Sequence, residues 1–72
     1  MVSHVSSLLF KPHQQLVNSV DFDNAMYLAV PVSVWQNGEI IDYGGPIQMH
    51  TTEAVCINDG YYLKCVCEFR VR

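Results

Sequence analysis

Beyond about residue 26 the chain reads as short runs of strand-forming residues divided by turn residues. Residues 27–36 are rich in Val, Trp and Tyr, which suit a pleated, half-buried surface. Pro31 falls inside that run and cannot donate a ladder hydrogen bond, so the pattern predicts an edge strand, a bulge or a split there. Asn37-Gly38 separates the run from Ile40-Ile41-Asp42-Tyr43. Asn-Gly between two apolar runs predicts a tight hairpin, because both central residues must take positive φ. In the simplest register Trp35 opposes Ile40, Val34 opposes Ile41 and Val32 opposes Tyr43. The expected core face is then Val32, Val34, Ile41 and Tyr43, and the opposite face is Ser33, Trp35, Ile40 and Asp42.

Gly44-Gly45-Pro46 marks a turn or a bend with a close backbone approach. Residues 47–50 alternate and read as a short third strand or the second one resumed. Residues 54–57 form an apolar run, and Asn58-Asp59-Gly60 predicts a second hairpin with Gly60 in the left-handed conformation. Its register is open between a three-residue and a two-residue loop, and a slip of one residue exchanges the faces. Residues 61–72 alternate throughout and predict one long strand. Leu63, Cys65, Cys67, Phe69 and Val71 face the core, and Tyr62, Lys64, Val66, Glu68, Arg70 and Arg72 face water.

The first third of the chain carries weaker signals. Residues 2–10 suit a first strand or a loosely docked arm. Pro12 followed by Leu16, Val17 and Val20 at helical spacing suggests a short helix, with a strand as the rival because Val is a poor helix former. Asp21-Phe22-Asp23-Asn24 reads as a turn. The expected fold is mainly β, a single small domain over residues 1–72. Residues 1–24 are an N-terminal arm or helix, and the sheet is rolled into an SH3-like partial barrel or lies flat under one helix.

Composition narrows function. The chain has 72 residues, half of them hydrophobic and 15% charged, with a formal net charge of -3. A domain this small leaves much of its surface uncovered, and sparse charge means that some of that surface is apolar. An acidic balance and a pI near 5.3 argue against a nucleic-acid partner. The longest apolar run, residues 25–32, contains Pro31 and is too short to span a bilayer, so no membrane role is expected. The N-terminal residues lack a signal-peptide pattern, and three Cys cannot close a disulfide framework; a cytoplasmic, unprocessed chain is expected.

Chemistry-bearing residues are few. Cys56, Cys65, Cys67 and His50 could suit zinc, and Cys65 or Cys67 could be a redox thiol, but no Cys-x-x-Cys is present. The preferred reading makes Cys65 and Cys67 small, reduced, buried core residues, with no metal and no cofactor. A Cys nucleophile with His4, His13 or His50 as base has no local support, the seven acidic residues are scattered, and Gly44-Gly45 lacks a phosphate-loop pattern. No catalytic residue is expected, and His50 reads as an exposed sheet residue. Tyr62, Lys64, Arg70 and Arg72 could stack and contact single-stranded nucleic acid, though a solvated strand face is the simpler reading. Trp35, Ile40, Tyr27 and Tyr62 are the expected partner-binding residues, because Trp and Tyr bury much area while keeping a polar handle. The functional expectation is a non-enzymatic protein-interaction module that self-associates into a homo-oligomer, with a small metal- or nucleic-acid-binding regulator as the alternative.

Overall fold

A computed structural model describes residues 10–72; the strand or arm expected at residues 2–9 lies outside them. The elements run β1 (Gln15–Leu16), α1 (Ser19–Tyr27), β2 (Val32–Gln36), β3 (Glu39–Gly45), β4 (Met49–His50), β5 (Ala54–Ile57), β6 (Gly60–Leu63) and β7 (Glu68–Val71). The architecture is mainly β, as the alternation implies. Among the described residues it consists of two antiparallel sheets, one of order β1-β7-β2-β3 and one of order β4-β5-β6, and these form no closed barrel.

The helix begins later than its apolar spacing suggested. Asn18 is its N-cap: the Asn18 side chain accepts from the Asp21 N–H at 3.0 Å, and Asp21 accepts from the N–H groups of Val17 and Asn18. This capping box satisfies donors that a helix start leaves open, and Asp21 also suits the positive end of the helix dipole. The short polar residues read as a turn at 21–24 therefore lie in the helix. Leu16 pairs with Phe69 in β1, while Val17 and Val20 are exposed. The buried helical positions are Phe22 and Ala25. The helix ends on Ala29 at φ 55°, with Ala29 N–H bonded to the Met26 carbonyl and Val30 N–H to the Ala25 carbonyl. That is a Schellman ending with Ala where Gly is usual.

Of the edge, bulge or split expected at Pro31, the structure has the split: residues 28–31 are not strand, Pro31 stands just before β2, and β2 lies between β7 and β3. Asn37 and Gly38 take φ 53° and 79° and close the first hairpin, and Trp35 pairs with Ile40 as expected. Beyond that pair the expected register fails. Val34 pairs with Asp42 and Val32 with Gly45, because β3 carries one extra residue between Ile40 and Asp42 and another between Asp42 and Gly45. The second bulge depends on Gly44, whose φ is 76° and whose missing Cβ would lie 1.6 Å from the Val32 carbonyl oxygen. Ile41 and Tyr43, assigned to the core by simple alternation, are consequently exposed.

The second hairpin uses the shorter loop. Ile57 pairs with Gly60, and Asn58 and Asp59 take φ 52° and 64°, so the left-handed positions fall on Asn and Asp and Gly60 is a strand residue. The expected long final strand is broken at residues 64–67, where the Leu63 carbonyl accepts from both Val66 and Cys67. That turn carries the chain from one sheet to the other. The core lies between the sheets and under α1. Val32, Val34, Leu16, Phe69 and Val71 come from the four-stranded sheet, Val55 and Ile57 from the three-stranded sheet, and Phe22 meets Phe69 edge-on at 5.5 Å.

Candidate functional site

The most unusual surface follows from the register of the three-stranded sheet. Met49 pairs with Cys56, Cys56 with Tyr61, and Ala54 with Leu63. Directly paired residues point to the same face of a sheet. One face of this sheet therefore presents Met49, Ala54, Cys56, Tyr61 and Leu63. The other presents His50, Val55, Ile57 and Tyr62 toward the core. An antiparallel sheet with one wet face normally alternates apolar and polar residues, whereas here both faces are apolar. Tyr61 is 67% exposed, Leu63 53% and Met49 46%, while Cys56 is buried among them. No charged side chain occupies the outer positions of these three strands. Leu63 also borders an open groove of about 620 Å³ with Val17, Thr52, Glu53, Lys64 and Cys65.

The four residues expected to bind a partner do not form one surface. Trp35 and Ile40 are paired and half-buried on the outer face of the four-stranded sheet. The indole Nε1–H of Trp35 donates to Ser33 Oγ at 2.9 Å, Ser33 donates to the Arg70 carbonyl, and the Arg70 guanidinium lies 4.9 Å from the Trp35 ring. The polar handle and one ring face of Trp35 are thus engaged within the chain. Tyr27 is 87% exposed but is carried by α1, which covers the opposite, core face of that sheet. Tyr62 turns inward, and its hydroxyl donates to Asp42 Oδ2 at 2.6 Å, joining the two sheets. This bond, followed by the Gly44 N–H, holds the Asp42 carboxyl below its ordinary range. The same bond, then burial and the Asp42 charge, raises the Tyr62 hydroxyl. Asn58 adds hydrogen bonds from its side chain to Asp42 and to the Gly44 carbonyl.

His50 is not the exposed residue expected; its side chain is 9% exposed. Its Nε2 lies 2.6 Å from Asp23 Oδ1 and its Nδ1 lies 3.3 Å from Lys64 Nζ. A carboxylate only accepts and a lysine ammonium only donates, so Nε2 carries the proton and Nδ1 accepts. Lys64 also lies 4.3 Å from the centroid of the Phe22 ring, which meets the His50 ring at 5.6 Å with a tilt of 36°. Both nitrogens of His50 are engaged, so the cluster ties α1 to β4 and to the turn after β6. Sequence reasoning missed this cluster because Asp23, His50 and Lys64 are distant in the chain.

The basic residues proposed for nucleic-acid contact are likewise engaged internally: Lys64 with Phe22 and His50, Arg70 with Trp35 and Glu68, and Arg72 with the carbonyls of Tyr43 and Gly44. The three thiols are free. Cys65 is exposed and Cys67 half-buried, which corrects their assignment to the core; only Cys56 is buried, its thiol donating to Gln48. The long strand that would have buried Cys65 is broken at the residue before it. Among the described residues no cluster of three His, Cys, Asp or Glu side chains could hold a metal ion, and no helix is long and apolar enough to cross a membrane. Comparison with protein-family models, with curated proteins and with solved structures gave no match.

Proposed function

We propose that this chain is a non-enzymatic protein-interaction module that self-associates, and that two copies meet through the outer face of the three-stranded sheet. The observation supporting this reading is the uncharged, apolar outer face formed by Met49, Ala54, Cys56, Tyr61 and Leu63. A face without charge meets its own copy without like-charge repulsion, as a two-fold contact requires.

The edges of the four-stranded sheet suit association less well. The edge strand β3 is doubly bulged, and its Tyr43 and Gly44 carbonyls accept from Arg72, with Gly44 also accepting from Asn58. Bulges and capped edge groups oppose edge-to-edge pairing. The opposite edge, β1, is only two residues long.

The affinity follows from the area. The exposed parts of Tyr61, Leu63 and Met49 amount to roughly 300 Å² per copy on the scale of apolar side chains. Two copies bury about 600 Å², worth on the order of 15 kcal/mol gross, against an association cost of about 4–15 kcal/mol. The difference spans about 0–11 kcal/mol, and about 600 Å² falls below the roughly 1,200 Å² of stable interfaces, so the contact belongs to the transient class; a Kd on the order of 100 μM, the middle of that range, is the working value. Sedimentation equilibrium from about 10 μM to 1 mM, bracketing that affinity, tests it. The expected result is an apparent mass rising from the 8.2 kDa monomer toward twice that value. Leu63→Lys should hold the monomer mass throughout, and Trp35→Ala should associate like the unaltered chain. A constant monomer mass for the unaltered chain would overturn the proposal.

A further inference from the structure

Tyr61 is the largest and most exposed side chain on the outer face of the three-stranded sheet. That face offers its hydroxyl no good partner. The neighbours there are Met49, Ala54, Cys56 and Leu63, which supply at most weak sulfur acceptors, and the Cys56 thiol is already engaged with Gln48. A phenol buried without a partner carries a desolvation penalty that weakens association. A contact that covers Tyr61 is therefore best placed where the hydroxyl reaches a polar group.

Leu63 belongs both to this face and to the groove lined by Val17, Thr52, Glu53, Lys64 and Cys65, so the two surfaces are continuous. Val17 and Cys65 are exposed and apolar, which suits the body of an aromatic ring. Thr52 and Glu53 are exposed and carry acceptor oxygens. The Glu53 backbone is held in place, its N–H donating to Thr51 Oγ1 and its carbonyl accepting from the Lys64 N–H at 2.7 Å. The Lys64 ammonium is turned toward Phe22 and His50, so the charged group at the groove rim is the Glu53 carboxylate. The acid at the other end of β6, Asp59, accepts from Gln48 instead.

A two-fold axis lying across the strands at Leu63 stacks the two β6 strands antiparallel, Leu63 against Leu63. Tyr61 lies two residues, roughly 6.8 Å, from Leu63 along the strand, so each Tyr61 falls the same distance past the other copy's Leu63, over its groove. An axis running along the strands would instead set Tyr61 on Tyr61 and leave both hydroxyls among apolar groups. The first arrangement also covers Val17 and Cys65, adding to an outer-face area of about 600 Å² that is small for a stable interface. We propose, resting on the self-association argued above, that each copy's Tyr61 seats in the other copy's groove. Its ring lies against Val17 and Cys65, and its hydroxyl donates to the Glu53 carboxylate. The contact is reciprocal, as a two-fold requires, so each dimer holds two such bonds.

The test is a double-mutant cycle read by sedimentation equilibrium of the full chain over the same concentration range. Tyr61→Phe and Glu53→Ala should each weaken association by about tenfold or more, because each dimer loses two hydrogen bonds. Both positions are exposed, and a far-UV circular dichroism spectrum like that of the unaltered chain checks that each variant folds. The double variant should associate no more weakly than either single one, since all three lack the same bond. Association that neither single variant weakens, or losses that add in the double variant, would overturn the seat of Tyr61 while leaving the outer-face contact standing. A constant monomer mass for the unaltered chain would overturn both.

Discussion

Replacing Gly44 with Ala should cost far more than replacing Gly38 with Ala, although the two glycines share nearly the same backbone conformation. Their φ angles are 76° and 79°. A left-handed φ costs a residue with a Cβ about 1–2 kcal/mol at either position, partly offset by the reduced freedom of Ala in the unfolded chain. The surroundings differ. A Cβ on Gly38 meets nothing within 4 Å, whereas one on Gly44 lies 1.6 Å from the Val32 carbonyl oxygen and 2.7 Å from its carbon. Val32 is a fully buried residue of the central strand β2, so its backbone cannot swing aside as a flexible side chain would. Relief requires the bulge to open, which breaks the Val32–Gly45 pairing and the bond from the Gly44 N–H to Asp42. At about 1 kcal/mol for each bond lost, Gly44→Ala costs roughly 3–5 kcal/mol and Gly38→Ala about 1. A domain of 72 residues has roughly 4–11 kcal/mol in total, so the first change removes between about a third and all of its stability. Urea unfolding followed by far-UV circular dichroism and by the fluorescence of the single Trp measures both. With an m-value near 1 kcal/mol/M, Gly38→Ala should lower the midpoint by about 1 M and Gly44→Ala by about 3–5 M. Equal losses for the two variants would refute the bulge geometry.

Ala29→Gly should stabilise the chain by about 0.5–1 kcal/mol, because Ala29 holds φ 55° at the helix ending; a lower urea midpoint would count against the Schellman geometry. Tyr62→Phe tests the bond between the sheets through pH. Asp42 is held below its ordinary 3.8, so its contribution is present above that pH and is lost as pH falls through the depressed value. Tyr62 is raised above 10.0, so its contribution is present below pH 10 and is lost as pH rises through the raised value. The stability difference between Tyr62→Phe and the unaltered chain should therefore be greatest on a plateau between about pH 5 and 9 and shrink on either side, as urea midpoints across pH will report. The monomeric behaviour of Leu63→Lys is the remaining expectation.

The strand content, the Asn37-Gly38 hairpin and the Trp35–Ile40 pair were legible because tight turns and period-two runs are local signals. The face of β3 was not. Two single-residue bulges shifted Ile41 and Tyr43 out of the core, and only Gly44-Gly45, read correctly as a close approach, hinted at one of them. The helix start was readable from Asn18 and Asp21, which form a capping box, but Pro12 and the apolar spacing of Leu16, Val17 and Val20 pointed about two turns too early. Alternation carried through residues 61–72 concealed the break at 64–67, since a turn of Lys, Cys and Val carries no Gly or Pro to mark it. The apolar outer face was visible in principle. Residues 54–57 are Ala-Val-Cys-Ile, a run without alternation that suits a strand covered on both sides. Weighting Trp and Tyr as interface anchors drew attention to Trp35 instead, whose polar group and ring face are engaged by Ser33 and Arg70.

The proposed contact is tested most directly by backbone amide chemical shifts across a dilution series from about 1 mM to 10 μM, spanning the expected Kd. Contact through the outer face should move the amides of Met49, Ala54, Cys56, Tyr61 and Leu63 together along one binding curve, while Trp35 and Ile40 stay fixed. Shifts that do not change with concentration, or that change only around Trp35 and Ile40, would contradict it.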